Sequence, residues 1–239
     1  MNKIRYLLKL LLTVPLPVNI GLIISTFYIV VVRFVINDFS EPFIGAYKVG
    51  WIGYDLFLAY VASYIFYFLV VHLKSFNDKQ NINEFVADHT KRLVFEGQSV
   101  FTDLSKASGL SNLTFPPSPD EVKQICQKID PHGQAPMITN DFQKVNWIYY
   151  LYNRKLVSDN LSRKILGRMP YLESELINIV SLIDDNSFFS MVEHLNRQAF
   201  QNKNFQFLDK SLFNYFALVY KLENYFDKNL KEYYKIRTM

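Results

Sequence analysis

The sequence predicts an all-α fold, in which a two-span transmembrane helical hairpin is followed by a cytoplasmic helical domain (bundle or irregular helical array). Two long apolar runs separated by a short polar loop predict the hairpin. Apolar residues at three- and four-residue spacing predict helices in the remainder, where no alternating strand pattern is found. The mean hydropathy of +0.02 therefore averages a very apolar first third and an ordinary polar remainder.

Residues 1–17 predict a basic interfacial leader. Lys3, Arg5 and Lys9 alternate with leucines, and two prolines follow. A proline is well tolerated in the first turn of a helix, so we expect the first span to begin near Pro17. The leader then serves as a basic flank that sets topology, or alternatively as a lipid-sensing helix.

Residues 18–73 form the predicted transmembrane hairpin, with spans 18–36 and 51–73 and an outer loop 37–50. The second span contains only two residues that can carry charge, Asp55 and His72, and the first contains only Arg33. At about 1.5 Å rise per residue, both runs are long enough to cross a hydrocarbon core of roughly 30 Å. Two buried helices of a soluble protein are the alternative. A cleavable signal peptide is disfavoured because the first apolar stretch is too long and lacks a cleavage site.

The orientation follows from the basic residues beside the spans. The outer loop has one lysine, Lys48, whereas the flanks on the other side carry seven basic residues. The positive-inside rule then predicts a bacterial-type inner membrane protein with both termini in the cytoplasm. A single cysteine, Cys126, allows no intrachain disulfide and agrees with that compartment. The seven basic residues are Lys3, Arg5, Lys9, Lys74, Lys79, Lys91 and Arg92.

Small and hydroxyl-bearing residues inside the spans predict helix association. Gly21 with Ser25, and Ala59 with Ser63, are small residues four apart, which lets helix backbones approach closely. Tyrosine hydroxyls at depth need partners within protein, and self-association would supply them. We therefore expect a homo-oligomer in the lipid bilayer. The tyrosines of the second span are Tyr54, Tyr60, Tyr64 and Tyr67.

Arg33 and Asp55 predict an intramembrane charge pair. Counted from the outer ends, Arg33 lies three residues before Ile36 and Asp55 four after Trp51, which suggests nearly equal depth. A lone charge costs about 2.5 to 3.5 kcal/mol at the bilayer centre and less near the interface. We expect the two to approach each other within one hairpin or between neighbouring subunits. The alternative is that each reaches water separately.

Beyond the hairpin, residues 74–110 predict a stalk helix and residues 111–239 a cytoplasmic helical domain. A proline-rich break separates them, followed by a Ser118 cap with a capping-box Glu121. His89 and Cys126 lie on apolar faces and are expected to be packed. Helices are predicted at about 119–129, 141–156, 159–167, 170–184, 187–200 and 208–236, with a loop at 130–140.

The sequence contains no recognisable catalytic motif. It has no glycine-rich phosphate loop, nucleophile elbow, HExxH or paired CxxC, and no histidine has a partner at metal-ligand spacing. Asp184, Asp185, Glu193 and His194 form the one acidic and imidazole grouping. A solvated helix end explains these residues better than a metal or hydrolytic site. The prediction is a non-enzymatic protein without catalytic residues, metal or cofactor.

A basic cluster predicts a possible binding surface. Arg154, Lys155, Arg163, Lys164 and Arg168 lie within fifteen residues that contain one acid. On one continuous helix, Arg154, Lys164 and Arg168 would fall within about 80° of each other and could hold a phosphate or an acidic partner. An ordinary solvated face and docking on anionic lipid are the alternatives, and a nucleic-acid partner is not favoured.

These features favour an oligomeric inner-membrane protein. Its cytoplasmic domain would sense or bind a partner, either a protein or a phosphorylated ligand, and its hairpin would alter membrane permeability. The alternatives are a passive anchor or scaffold for a soluble partner and a membrane-bound enzyme with a site assembled from distant residues. In architecture alone, the organisation resembles bacterial membrane proteins that include membrane-acting effectors of antiphage defence.

Overall fold

A computed structural model describes residues 10–34, 45–138, 141–197 and 201–234. The chain divides into two compact units, which we call the hairpin unit (Met1–Gln80) and the helical unit (Asn81–Met239). The predicted basic residues of the leader, Lys3, Arg5 and Lys9, and most of the predicted outer loop lie outside the described residues.

The hairpin unit contains two long apolar helices that pack against each other. Helix α1 spans Leu16–Phe34 and helix α2 spans Ala46–Phe66. A π-helical stretch, Tyr67–His72, continues α2 into helix α3, Leu73–Ala107, so the chain is helical without interruption from Ala46 to Ala107. Helix α2 thus begins five residues earlier than the predicted second span.

Both helices of the hairpin unit are long and apolar enough to cross a membrane. Only 11% of the residues in the apolar window of α1, and 6% in that of α2, are buried. The apolar side chains of these helices therefore remain largely uncovered by the rest of the chain.

The helical unit combines helices with one short sheet. After α3 come α4 (Pro119–Lys128), strands β1 (Gln134–Ile138) and β2 (Lys144–Asn146), and helix α5 (Trp147–Leu166). Helices α6 (Ser174–Asp184), α7 (Ser187–Arg197) and α8 (Asp209–Tyr225) follow. Shorter 3₁₀ or π segments occupy Met169–Tyr171, Gln206–Leu208, Phe226–Leu230 and Lys231–Tyr233.

The antiparallel β-hairpin corrects the prediction of a purely α fold. A loop was expected at 130–140 and a helix from Asp141, because Phe142, Val145 and Ile148 recur at helical spacing. Instead, Phe142 has a positive φ of 59°, and β2 pairs with β1 across residues 134–146. Helix α5 begins only after Asn146, whose side chain caps it by accepting a hydrogen bond from the Tyr149 amide at 2.9 Å.

Two other helix boundaries differ from the prediction. Helix α5 is continuous, where two pieces divided near Ser158 and Asp159 were expected, because both side chains are buried within the unit rather than capping a break. Helix α6 begins at Ser174, after a 3₁₀ turn at the predicted start, Pro170. The predicted helix ends at Phe200 and Ile236 lie outside the described residues.

The capping box that was predicted before α4 is confirmed. The Ser118 amide donates to the Glu121 carboxylate at 2.6 Å, and the Glu121 amide donates to the Ser118 hydroxyl at 3.4 Å. The hydrogen bond from the Ser118 amide, and a second one that the Ser118 hydroxyl donates to the same carboxylate at 2.9 Å, lower the pKa of the Glu121 carboxyl.

The helical unit is built around a continuous apolar core. Cys126 lies in this core, 1% exposed. Helices α3 and α8 approach closely where Gly97 faces Val219, because a Cβ added at Gly97 would lie 2.5 Å from a Val219 methyl carbon. The largest fully buried side chains include Leu93, Leu104, Ile125, Tyr150, Ile165, Ile179, Phe188, Tyr215 and Phe216.

Candidate functional site

Reciprocal glycine–tyrosine contacts hold the two helices of the hairpin together. A Cβ added at Gly21 of α1 would overlap the Tyr60 side chain of α2, lying 2.7 Å from its Cζ atom. A Cβ added at Gly53 of α2 would likewise lie 2.9 Å from Cζ of Tyr28 of α1. In each helix, the absence of a side chain at one glycine thus leaves space for a tyrosine of the other helix. We call this contact the hairpin seam.

The hydroxyls of the seam tyrosines find partners within the same hairpin. Tyr60 donates to the Val18 carbonyl at 3.1 Å, and Tyr64 donates to the Asn19 side-chain oxygen at 2.8 Å. Tyr28 donates to the Gly50 carbonyl at 3.4 Å. Self-association is therefore not needed to satisfy Tyr60 and Tyr64, although the sequence suggested that it would supply their partners.

The seam contains residues that the sequence analysis did not single out, namely Asn19, Tyr28 and Gly53. A signal for them exists in the sequence: Gly21 and Tyr28 are seven residues apart in α1, and Gly53 and Tyr60 are seven apart in α2. Two equal spacings allow both glycine–tyrosine pairs to form at once between antiparallel helices. The seven-residue spacing is not informative in either helix alone. It becomes informative only when the two helices are compared with each other.

The predicted small residues divide between two different faces. Gly21 lies in the seam, and the buried Ser25 donates to the Gly21 carbonyl at 2.7 Å. Ala59 and Ser63 are both exposed; Ala59 lies on the face of α2 that is turned away from α1, whereas Ser63 lies at the edge of the seam, about 60° around the helix from Tyr60. The first pair thus lies in the contact within the hairpin, while a role of the second pair in contacts between copies stays a prediction.

The two helices have chemically different outer faces. At 100° per residue, Asp55 lies about 160° around α2 from Gly53 and about 180° from Tyr64, so it points away from α1. At the same 100° per residue, the outer face of α2 consists of Trp51, Asp55, Leu58, Ala59, Ala62 and Phe66, all exposed. The outer face of α1 carries no charge. It holds the exposed Thr26, whose hydroxyl donates to the Leu22 carbonyl at 2.8 Å, and the large apolar side chains of Leu16, Ile20, Ile23, Phe27, Val30 and Phe34.

The register of the seam corrects the expectation that Arg33 and Asp55 lie at equal depth. Because Tyr28 faces Gly53, Asp55 is level with Thr26, and Arg33 is level with Lys48. The two charges differ by seven residues in height, or about 10 Å. Within the described parts of the chain, no ion pair joins Arg33 to Asp55, and both side chains are exposed. Pairing between neighbouring copies stays a prediction.

At the other end of the hairpin unit, His72 contacts the segment that precedes α1. Its Nε2 atom lies 3.1 Å from the Leu10 carbonyl oxygen and 3.1 Å from the Thr13 hydroxyl. The Thr13 hydroxyl also donates to the Leu10 carbonyl at 2.8 Å. These bonds tie the end of the second apolar helix to the described part of the leader.

The helical unit places Arg154 of the basic cluster inside a network of its own acids. The Arg154 guanidinium donates to Glu96 at 2.7 Å and lies 3.9 Å from Asp103. It also covers the Tyr150 ring, whose hydroxyl donates to Asp103. Burial and this hydrogen bond raise the pKa of Tyr150. Arg154 therefore neutralises partly buried carboxylates of α3.

The other predicted anion-binding residues are separated from Arg154. Lys164 and Arg168 are exposed, but α5 ends at Leu166, so Arg168 does not share its helical face. The Arg168 guanidinium lies over the Phe85 ring, 5.3 Å from its centre. Lys155 of the same cluster bridges Asp159 at 2.6 Å and Glu193 at 3.4 Å. Anion binding stays a prediction for Lys164 and Arg168.

The acidic and imidazole grouping is brought only partly together. Glu193 pairs with Lys155 and Arg197, while Asp184 lies near Asp159 and Asp185. Burial and these neighbouring carboxylates raise the pKa of Asp184. Within residues 10–34, 45–138, 141–197 and 201–234, no group of three or more His, Cys, Asp or Glu side chains could hold a metal ion.

Two further titratable groups of the helical unit are packed rather than positioned for chemistry. Burial raises the pKa of the Cys126 thiol to about 12, which suppresses the reactive thiolate. The His89 ring stacks on Phe85, with 4.1 Å between ring centres, and its Nδ1 atom lies 2.8 Å from the Phe85 carbonyl. Both observations agree with the predicted packing roles.

Comparisons with known proteins find no matching family model, no matching curated protein and no matching solved structure.

Proposed function

We propose that this chain is an oligomeric inner-membrane protein whose hairpin crosses the bilayer and controls its permeability. In this proposal both termini are cytoplasmic, and the helical unit binds a partner or signal there. The observation that carries the proposal is the exposure of the apolar side chains of α1 and α2. Ile23, Phe27 and Leu56 are 68%, 69% and 67% exposed, although α1 and α2 pack together.

The energetics of burial support a bilayer around the hairpin. Leaving one large apolar side chain in water forgoes about 1.5 to 3 kcal/mol, and the outer face of α1 alone holds six of them. Soluble monomers rarely expose so continuous an apolar surface. Lipid would cover it, while the hydrogen bonds of the seam satisfy Tyr28, Tyr60 and Tyr64 without water.

The construction of the helical unit supports a separate, water-facing role. It has its own apolar core and places charged side chains such as Lys164 and Arg168 on its surface. Its first helix is continuous with the second apolar helix. A change in the helical unit on binding a partner could therefore be passed along one unbroken helix to the hairpin.

Membrane insertion is tested by carbonate extraction of membranes from a bacterial host that expresses the full chain. We expect the protein to remain in the pellet. The double variant Ile23→Lys, Phe27→Lys should be extracted, because it places two charges on the outer face of α1 without touching the seam. Extraction of the unaltered chain would overturn the membrane proposal.

Permeability is tested in the same host with a membrane-potential dye during strong expression. We expect depolarisation with the unaltered chain and none with the double lysine variant. A chain that resists carbonate extraction but causes no depolarisation would contradict the permeability part of the proposal and favour the passive anchor.

A further inference from the structure

We propose that Asp55 is the selectivity residue of a cation path that several copies of the hairpin form together. In this arrangement the outer face of α2 from each copy lines a shared, water-filled axis. The ligand class is small monovalent cations. This inference rests on the proposed function, and it names the permeant ion and the residue that selects it.

The position of Asp55 is the first observation. It is the tenth residue of α2, whose apolar stretch continues to Leu73, and it is level with Thr26, near the middle of α1. In a membrane-spanning hairpin this places the carboxylate within the hydrocarbon core, where an isolated charge is costly. Intramembrane carboxylates accordingly face protein or a water-filled cavity and mark ion pathways.

The second observation is that the described residues of the hairpin supply no counter-charge to Asp55. Among the described residues, no hydrogen bond or ion pair to its carboxylate is formed, and its side chain points away from α1. Arg33 is about 10 Å nearer the loop end. Copies related by rotation about the membrane normal keep every residue at its own height, so Arg33 of a neighbour is no closer in depth.

The third observation is the contrast between the two outer faces. The outer face of α1 carries no charge, and the Thr26 hydroxyl on it is satisfied within the helix, so this face suits lipid. Along the outer face of α2, Ala59 and Ala62 follow Asp55 within about two turns, beside the larger Trp51, Leu58 and Phe66. Small side chains leave room for water, and a ring of carboxylates attracts cations and repels anions. The face that bears Asp55 is therefore the one directed at the axis.

The test reconstitutes the full chain in planar bilayers under a KCl gradient and measures the ratio of potassium to chloride permeability from the reversal potential. We expect the unaltered chain to favour potassium. Asp55→Asn should lower the ratio at least about threefold, and Asp55→Lys should favour chloride. Asp55→Glu should keep the preference for potassium. Asp120→Asn, which removes a carboxylate from α4 of the helical unit, is the matched control and should change nothing.

A second variant covers the case in which Asp55→Asn does not assemble. Asp55→Cys should react with a water-soluble cationic thiol reagent, whereas Ile23→Cys on the outer face of α1 should not. Cys126 remains unreactive in both because its thiol is buried.

The possible failures can be told apart. An equal ratio of potassium to chloride permeability in the unaltered chain and in Asp55→Asn would overturn the inference about Asp55. It would leave the permeability proposal intact. The inference about Asp55 would also be overturned if the unaltered chain conducted both ions equally, or if Asp55→Cys did not react in conducting membranes. Absence of any conductance in a correctly inserted chain would instead overturn the permeability proposal itself. Loss of assembly in Asp55→Asn that is restored only by changing Arg33 as well would favour the charge pair between copies.

Discussion

The hairpin unit and the helical unit distribute polar and apolar groups in opposite ways. In the hairpin unit the hydroxyls of Tyr28, Tyr60 and Tyr64 lie in the seam, and large apolar side chains cover the outer face of α1. In the helical unit apolar side chains such as Phe216 fill the core, and most charges lie outside. The same chain thus contains one part whose large apolar side chains remain exposed and one part that buries them in a core.

Close packing therefore serves a different purpose in each of the two units. In the helical unit, apolar burial drives association of the helices, and the Arg154 network adds specific pairing at its edge. In the hairpin, surrounding lipid would remove the hydrophobic drive, so association depends on shape and hydrogen bonds. A change in shape should therefore weaken the hairpin most, and a change in charge should weaken the helical unit.

Gly53→Leu should have the largest effect, because it places a branched side chain where the Tyr28 ring already lies. We expect it to weaken association of α1 and α2 by about 2 to 3 kcal/mol, toward the upper end of typical overpacking costs. The measurement is an SDS titration of the full chain, with the distance between spin labels at Ile23 and Ala59 as the readout.

Gly50→Leu is the matched control for this prediction. It lies on the same helix, but a Cβ at Gly50 has no atom within 4 Å, so the SDS midpoint should hardly move. Combining Gly53→Leu with Tyr28→Ala should recover part of the loss. Equal weakening by both leucine variants would mean that the seam does not hold the hairpin together.

Arg154→Ala should have an intermediate effect, confined to the helical unit. It leaves the Glu96 and Asp103 carboxylates without their cation, and Arg154 is 28% exposed, so we expect a loss of about 1 to 2 kcal/mol in the free energy of unfolding. Denaturant-dependent labelling of Cys126, the only cysteine of the chain, reports this unfolding. Lys164→Ala, an exposed change on the same helix, should cost less than about 0.5 kcal/mol.

This prediction also changes how the basic cluster should be tested. Reversing Arg154 together with Lys164 and Arg168 would also destabilise the helical unit by setting a third acid beside Glu96 and Asp103, so a loss of binding would not report on anion contacts alone. Charge reversal of Lys164 and Arg168 alone preserves the Arg154 network. If Lys164→Ala lowered the stability of the helical unit and Arg154→Ala did not, the stabilising role assigned to Arg154 would be contradicted.

The helices with strong local signals were predictable from sequence. The capping box at Ser118 and Glu121 fixes the start of α4, and two apolar runs fix the helices of the hairpin. Both signals are encoded by neighbouring residues and do not depend on long-range contacts. The β-hairpin was missed because Phe142, Val145 and Ile148 imitate helical spacing, while strand pairing between residues 134 and 146 has no local signature.

The candidate sites were less predictable than the helices. Asp55 was recognised from its charge in an apolar run, but its depth depends on the register, which only the glycine–tyrosine contacts fix. Arg154 was recognised as basic, but its partners Glu96 and Asp103 lie about fifty residues earlier on another helix. The sequence shows which residues are charged. Their spacing does not reveal which distant acid pairs with a given basic residue.

The smallest effect should come from Asp184→Asn, which tests how the helical unit tolerates a carboxylate that lies close to two others. Burial and the charges of Asp159 and Asp185 raise the pKa of Asp184 above its ordinary value of 3.8, against the lowering influence of Arg163 and Lys155. The folded protein therefore holds this proton more tightly than the unfolded chain does, and stability is lost as the pH rises through the raised pKa.

At pH 7, Asp184→Asn should unfold at slightly higher denaturant concentration than the unaltered chain. Below about pH 3 the carboxyl is protonated in both states, so the difference should vanish. Asp185→Asn should give a smaller gain of the same sign, because it relieves Asp184 only through space. A gain that persists unchanged at low pH would show that packing, and not charge, is responsible.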